Sequence, residues 1–104
     1  MSFTLSGSLL EGLVLAVVAR GDTYGYELTQ SLQKLAQISE STLYPVLRRL
    51  QKDAYLETYD KPHDGRNRRY YRMTEDGTQK LNHIEEEWAA FKTIIDQLLG
   101  GETS

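Results

Sequence analysis

The sequence predicts a mainly α fold with a small β-hairpin: a winged helix-turn-helix followed by a long C-terminal helix. Three observations predict it. Apolar residues recur at helical spacing in three short segments before residue 53. Two aromatic-rich stretches then flank the turn signal Pro62-His63-Asp64-Gly65. Last, Leu81, Ile84, Trp88, Phe91, Ile95 and Leu98 follow one another at spacings of 3, 4, 3, 4 and 3, a heptad seam of about two and a half repeats.

The first helix is expected from Ser6 to Arg20. Leu9, Leu10, Leu13, Val14, Val17 and Val18 form its apolar face, Leu15 and Ala16 widen it, and Gly21 stops it. Asp22 or Thr23 can cap the second helix, which carries Leu28, Leu32 and Leu35 on one stripe and ends near Ala36. The third helix begins after a short turn, with Ser39 or Ser41 as its cap. Pro45 lacks a backbone donor and is best tolerated near a first turn, so this helix cannot start much earlier. Leu43, Val46, Leu47 and Leu50 make its packing side. The other side shows Ser41, Thr42, Tyr44, Pro45, Arg48, Arg49 and Lys52: hydroxyls, an aromatic ring and cations. Tyr55 to Tyr59 and Arg69 to Thr74 read as the two strands of the hairpin, with a basic tip between them. Thr74 is the expected cap of the last helix, with Glu75 and Asp76 at its positive end. The ends, Met1–Thr4 and Gly100–Ser104, read as loose.

Charge is distributed unevenly. Residues 1–40 carry two basic and four acidic side chains, residues 41–74 eight and four, and residues 75–104 two and seven. The chain is net −3, yet its middle third is net +4. Four arginines, Arg66, Arg68, Arg69 and Arg72, fall within seven residues on the hairpin. A local basic field beside a helix-turn-helix points to a polyanion, and the third helix is the right size for a DNA major groove. On that reading residues 1–74 form a winged helix-turn-helix DNA-binding domain. The heptad seam marks residues 75–104 as the expected C-terminal dimerisation helix, and the two parts are expected to pack as one compact domain.

The residues also carry a resemblance. Ser41-Thr42-Leu43-Tyr44-Pro45-Val46-Leu47-Arg48-Arg49-Leu50 and the run from Gly65 through Arg72-Met73-Thr74-Glu75-Asp76-Gly77 resemble the PadR family of bacterial transcriptional regulators. Tyr24-Gly25-Tyr26-Glu27-Leu28 matches that family's second-helix pattern, and the short C-terminal part resembles the subfamily with a single dimerising helix. Ala54 departs from the family, which usually places glycine after the recognition helix. The resemblance implies a homodimeric repressor that reads a palindromic operator. Its third helix enters the groove, its wing steadies the complex, and its last helix, with the first, forms the dimer. It also implies that a planar aromatic or phenolic effector can release the DNA. Trp88 looks like the tryptophan that drug-binding relatives place near the dimer axis.

Expected recognition residues are therefore Ser41, Thr42, Tyr44, Arg48 and Arg49. On the wing Lys61, Arg66, Asn67 and Arg68 are expected at phosphate or the minor groove, while Arg69 and Arg72 support the strand. Leu81, Ile84, Trp88, Phe91, Ile95 and Leu98 are the expected dimer seam, and Trp88 serves there as dimer core or as a ligand contact. Arg48 and Arg49 can each read guanine or hold phosphate. The expected partners are double-stranded DNA, a second copy of the chain and a small aromatic effector. Tyr24 and Tyr26 either touch phosphate or pack.

Other classes find little support. The chain has no cysteine, no nucleophile–base pair and no glycine-rich phosphate loop, so no enzyme and no cofactor is expected. Glu85-Glu86-Glu87 near His83 reads as a solvated face rather than a metal site. No apolar run approaches the ~20 residues of a membrane span, so no membrane partner and a cytoplasmic location are expected. The alternative, a winged helix used only for protein interaction, would show an apolar or acidic recognition face, and here that face is cationic.

Overall fold

The structure, a computed structural model, describes residues 6–100. The expected loose ends lie outside that range, apart from Gly100. Four helices carry a three-stranded antiparallel sheet: α1 (Gly7–Ala19), β1 (Thr23–Tyr24), α2 (Gly25–Ala36), α3 (Glu40–Lys52), β2 (Leu56–His63), β3 (Arg66–Met73) and α4 (Glu75–Leu98). The sheet order is β1-β3-β2.

Ser6 caps α1 by accepting from the Leu9 N–H at 3.2 Å. Leu15, expected only to widen the apolar face, is fully buried with Val14. Strand β1 was absent from the sequence expectation. Thr23 does not cap α2 but pairs with Tyr71 in the sheet, and Tyr24 takes the cap position without supplying a side-chain bond. Leu35 leaves the expected stripe: it is 73% exposed, while Leu28 and Leu32 are buried. The turn into α3 runs through Gln37 at φ 56° to Ser39, the N-cap. Pro45 is the sixth residue of α3, deeper than a first turn, and leaves the Ser41 carbonyl without its i+4 donor. Leu43, Leu47 and Leu50 are fully buried, which secures the helix despite that loss.

The end of α3 is a Schellman motif. Ala54 N–H donates to the Gln51 carbonyl at 3.1 Å and Tyr55 N–H to that of Leu50 at 2.9 Å. The geometry needs a left-handed residue at position 54, and Ala54 adopts it with φ 64°. A Cβ in that region costs about 1–2 kcal/mol, partly offset by the stiffer unfolded chain. Ala54→Gly is therefore expected to stabilise the protein by about 0.5–1 kcal/mol, a rise of a few degrees in Tm measurable by calorimetry.

The hairpin is longer than the sequence suggested. Leu56 to His63 pairs without interruption with Arg66 to Met73, and only Asp64 and Gly65 turn. Both have positive φ, 52° and 76°, as a two-residue type I′ turn requires. Pro62, expected in the turn, lies within β2. It is tolerated there because β2 is an edge strand.

Thr74 caps α4 by accepting from the Gly77 N–H at 2.9 Å. The N-terminal half of α4 lies along α1. Gly12 permits the approach, since a Cβ there would come within 2.7 Å of Ile84 Cγ2. Leu81 and Ile84 are 8% and 6% exposed. The seam expected to meet a partner is thus divided, and its first two residues belong to the core of their own chain.

Candidate nucleic-acid interface

Helix α3 turns its buried leucines inward and leaves Ser41, Thr42, Pro45, Arg48, Arg49 and Lys52 exposed. At its start the Ser39 hydroxyl lies 3.0 Å from that of Ser41 and 3.1 Å from that of Thr42. The two expected recognition arginines differ. Arg49 donates from Nε to Glu11 on α1 at 2.9 Å, and the Glu11 side chain is only 14% exposed. Lys80 of α4 approaches the same carboxylate at 3.8 Å. Glu11 therefore ties α3, α1 and α4 together, and Arg49 is held on the α1 side. Arg48 has no ion pair among the described residues. Tyr44 is half-buried, its ring beside Gly25 and Tyr71.

On the wing, alternation sorts β3 into two faces. Arg66, Arg68, Tyr70 and Arg72 share one; Asn67, Arg69, Tyr71 and Met73 share the other, with Tyr71 and Met73 packed on the core. The first face is an aromatic ladder. Tyr59 and Tyr70, paired across β2 and β3, stack at 5.6 Å, and Tyr24 meets Tyr70 edge-on at 5.4 Å. Cations cover these rings: Arg68 lies 4.7 Å from the Tyr24 centroid, Arg72 4.9 Å from Tyr59 and Lys61 5.2 Å from Tyr70. Such contacts are worth about 0.5–1 kcal/mol each at exposed sites and hold the wing cations in fixed places. Arg72 also reaches Glu57 at 3.4 Å, and Arg69 lies 3.8 Å from Asp60. Arg66 stands exposed beside the turn with no ion pair among the described residues.

Two phenols near this surface, Tyr59 and Tyr71, hold their protons more tightly than a free tyrosine. The Asp22 carboxylate, accepting from Tyr59 Oη at 2.6 Å, raises the Tyr59 pKa. Burial pushes that of Tyr71 up, with the Arg69 cation pulling the other way. A neutral phenol can donate a hydrogen bond to an anion.

Tyr24, Tyr26, Tyr44, Asn67, Arg68 and Arg69 converge on one notch between α2, α3 and the wing. It joins Tyr44 from the expected recognition set to Asn67 and Arg68 from the expected wing set. Arg69 was expected only to support the strand. The alternation of β3 places it beside Asn67, and that signal was available in the sequence.

The far half of α4 has a different character. Phe91, Ile94, Leu98 and Leu99 are at least half exposed, Trp88 is 44% exposed, and Ile95 is partly covered. Ile94 and Leu99 were not in the expected seam. An apolar groove of ≈ 360 Å³ lies between α1 and α4, lined chiefly by Leu9, Leu13, Ala16, Ala36, Ile84 and Trp88. Among the described residues no helix is long and apolar enough to cross a membrane, and no group of three or more His, Asp or Glu could hold a metal.

Comparison with known proteins places this geometry. The sequence model of the "Transcriptional regulator PadR-like family" matches residues 14–83. The chain is 35% identical over 91 residues to the transcriptional regulator Rv3488 of Mycobacterium tuberculosis, covering 86% of this chain and 82% of that one. A crystal structure of smu.1704 from Streptococcus mutans UA159 superposes with a TM-score of 0.89 at 41% identity, covering 100% of this chain and 98% of the other. The PadR-like transcriptional regulator BC4206 of Bacillus cereus gives a TM-score of 0.83 at 35% identity, covering 90% and 94%.

Proposed function

The chain belongs to the PadR-like family of transcriptional regulators, and from that premise we propose that it is a homodimeric repressor that binds a palindromic operator. The observation that carries this reading is the separation of two surfaces. The exposed hydroxyls of Ser41 and Thr42, the Tyr44 ring, Arg48 and the wing cations lie together around α3 and β3. The exposed apolar stripe lies on the far half of α4. Residues 1–74 then bind DNA and residues 75–104 pair two chains. The acidic C-terminal segment falls away from the DNA, so the chain's net −3 charge does not oppose binding.

Within the interface Thr42, Tyr44 and Arg48 contact base edges from α3, and Ser41 fixes its N-terminal end on the backbone. Arg66, Asn67, Arg68 and Lys61 contact the flanking backbone or minor groove. Arg49 contributes through Glu11 by setting the angle of α3. The release signal is a planar aromatic molecule that enters the groove beside Trp88 and binds the two spacings of the recognition helices with different affinity.

Selection of bound duplexes from a random pool tests the reading. The expected product is a palindrome with half-sites about one helical turn, ~34–36 Å, apart. A pool with no enrichment, together with no binding to nonspecific duplex at low salt, would instead indicate a protein-interaction module.

A further inference from the structure

We propose that the notch between the start of α2, Tyr44 and the base of the wing seats one DNA phosphodiester, with Arg68 as its principal donor and Tyr24 as the residue that positions Arg68. This rests on the DNA-binding reading and adds to it a specific phosphate site.

The notch measures ≈ 330 Å³, and no carboxylate among the described residues lines it. Its polar walls are phenols, an amide and the guanidinium groups of Arg68 and Arg69, all able to donate to an anion. The first-turn carboxylate of Glu27 accepts from the Thr23 hydroxyl. Tyr24 gives α2 no side-chain cap, so first-turn amides of that helix also lack a side-chain acceptor on this side.

Arg68 supplies the decisive geometry. Its guanidinium lies over the Tyr24 ring, 4.7 Å from the centroid, and its Nε is shielded from solvent without a hydrogen-bond partner among the described residues. A guanidinium held against a ring presents its N–H groups at its edge. The two Nη groups, which unlike Nε are not shut off from solvent, can then take oxygens of a phosphate lying in the notch. The Tyr24 ring, rather than its hydroxyl, is what fixes the group.

The test measures binding of the full chain to a short random-sequence duplex across about 50–200 mM salt, where each phosphate neutralised contributes about −0.9 to the slope of log affinity on log salt. Arg68→Gln is expected to flatten the slope by about 0.9 per bound protomer, an affinity loss that is largest at low salt. Tyr24→Leu should flatten it equally, Tyr24→Phe should leave it at the wild-type value, and combining Arg68→Gln with Tyr24→Leu should add nothing. Partial unfolding lowers apparent affinity by one factor at all salt concentrations and leaves the slope alone. If Tyr24→Leu melts early, Arg68→Gln decides the matter. A methylphosphonate moved along one strand should weaken the wild type at one position per half-site and leave Arg68→Gln indifferent there.

A wild-type slope in Arg68→Gln overturns the seat while leaving DNA binding intact, and so does Tyr24→Phe behaving like Tyr24→Leu. Inorganic phosphate shifting the Arg68 Nε–H resonance while Arg68→Gln keeps the wild-type slope would mark a free-anion site and also overturn it. Failure of the wild type to bind any duplex overturns the DNA-binding reading and the seat together.

Discussion

Replacing Gly77 with alanine is expected to cost about 3 kcal/mol and to lower Tm by about 12–20 °C, although glycine-to-alanine changes inside helices normally stabilise. Gly77 is the third residue of α4 and is buried. A Cβ there would collide with the Tyr55 carbonyl oxygen and lie 2.8 Å from Met73 Sδ. The carbonyl has no room to retreat. It accepts from the Thr74 N–H at 3.2 Å and lies 3.1 Å from the Thr74 hydroxyl, which also reaches the Ala54 carbonyl at 2.7 Å. The Tyr55 N–H in turn closes the end of α3 on Leu50. Thr74, Tyr55 and Gly77 thus form one knot joining the recognition helix, the hairpin and α4. Admitting a methyl group there forces at least one of these bonds open. Gly7→Ala is the matched control: a Cβ at position 7 meets nothing within 4 Å among the described residues, so no loss is expected. Thermal melting of both variants decides it, and a Gly77→Ala protein as stable as wild type would show that the knot can yield.

The parts of the fold legible in the sequence are those governed by periodicity and end chemistry. Val14, Leu28, Leu43, Leu47 and Leu50 announce their burial by spacing, and Thr74 caps as its type suggests. The family resemblance, which usually places glycine after the recognition helix, pointed to the strain at Ala54. What escaped was decided by tertiary contact. A two-residue strand such as Thr23–Tyr24 has too little length for alternation, and only its pairing with Tyr70 and Tyr71 defines it. Pro62 reads as a turn residue unless one knows that its strand is an edge. The heptad seam was real as a pattern, yet spacing alone cannot say which helix covers it: Gly12 brings α1 over Leu81 and Ile84. In the candidate site, residue types pointed to the cationic face. No local pattern shows that Glu11 restrains Arg49 or that Tyr24 lies beneath Arg68, because those partners are 38 and 44 positions apart.

Phe91→Glu is expected to turn the protein into a monomer and to reduce operator affinity by about 100-fold, the factor gained when two linked half-sites are engaged together. From Glu85 to Ile94 every residue of α4 is exposed, and the helix spans about 36 Å in all. The radius of gyration is 15.5 Å, against about 13 Å for a compact chain of this length, so α4 extends the molecule to a longest dimension of 55 Å. An isolated helical extension with Phe91, Ile94, Leu98 and Leu99 in water is poorly stabilised by its own hydrogen bonds. A second copy of the same stripe would cover it and complete the groove beside Trp88. A carboxylate at position 91 would be buried at that contact without a partner, which strongly opposes association. In the separate chain it is solvated, so the core around Leu81 and Ile84 should keep its stability. Sedimentation at micromolar concentration should show half the wild-type mass. Far-ultraviolet circular dichroism should lose on the order of ten helical residues as the freed end of α4 frays. Unchanged mass in Phe91→Glu would move the dimer contact elsewhere. Monomers with undiminished operator affinity would remove the need for a paired site, since each wing and recognition helix would then suffice alone.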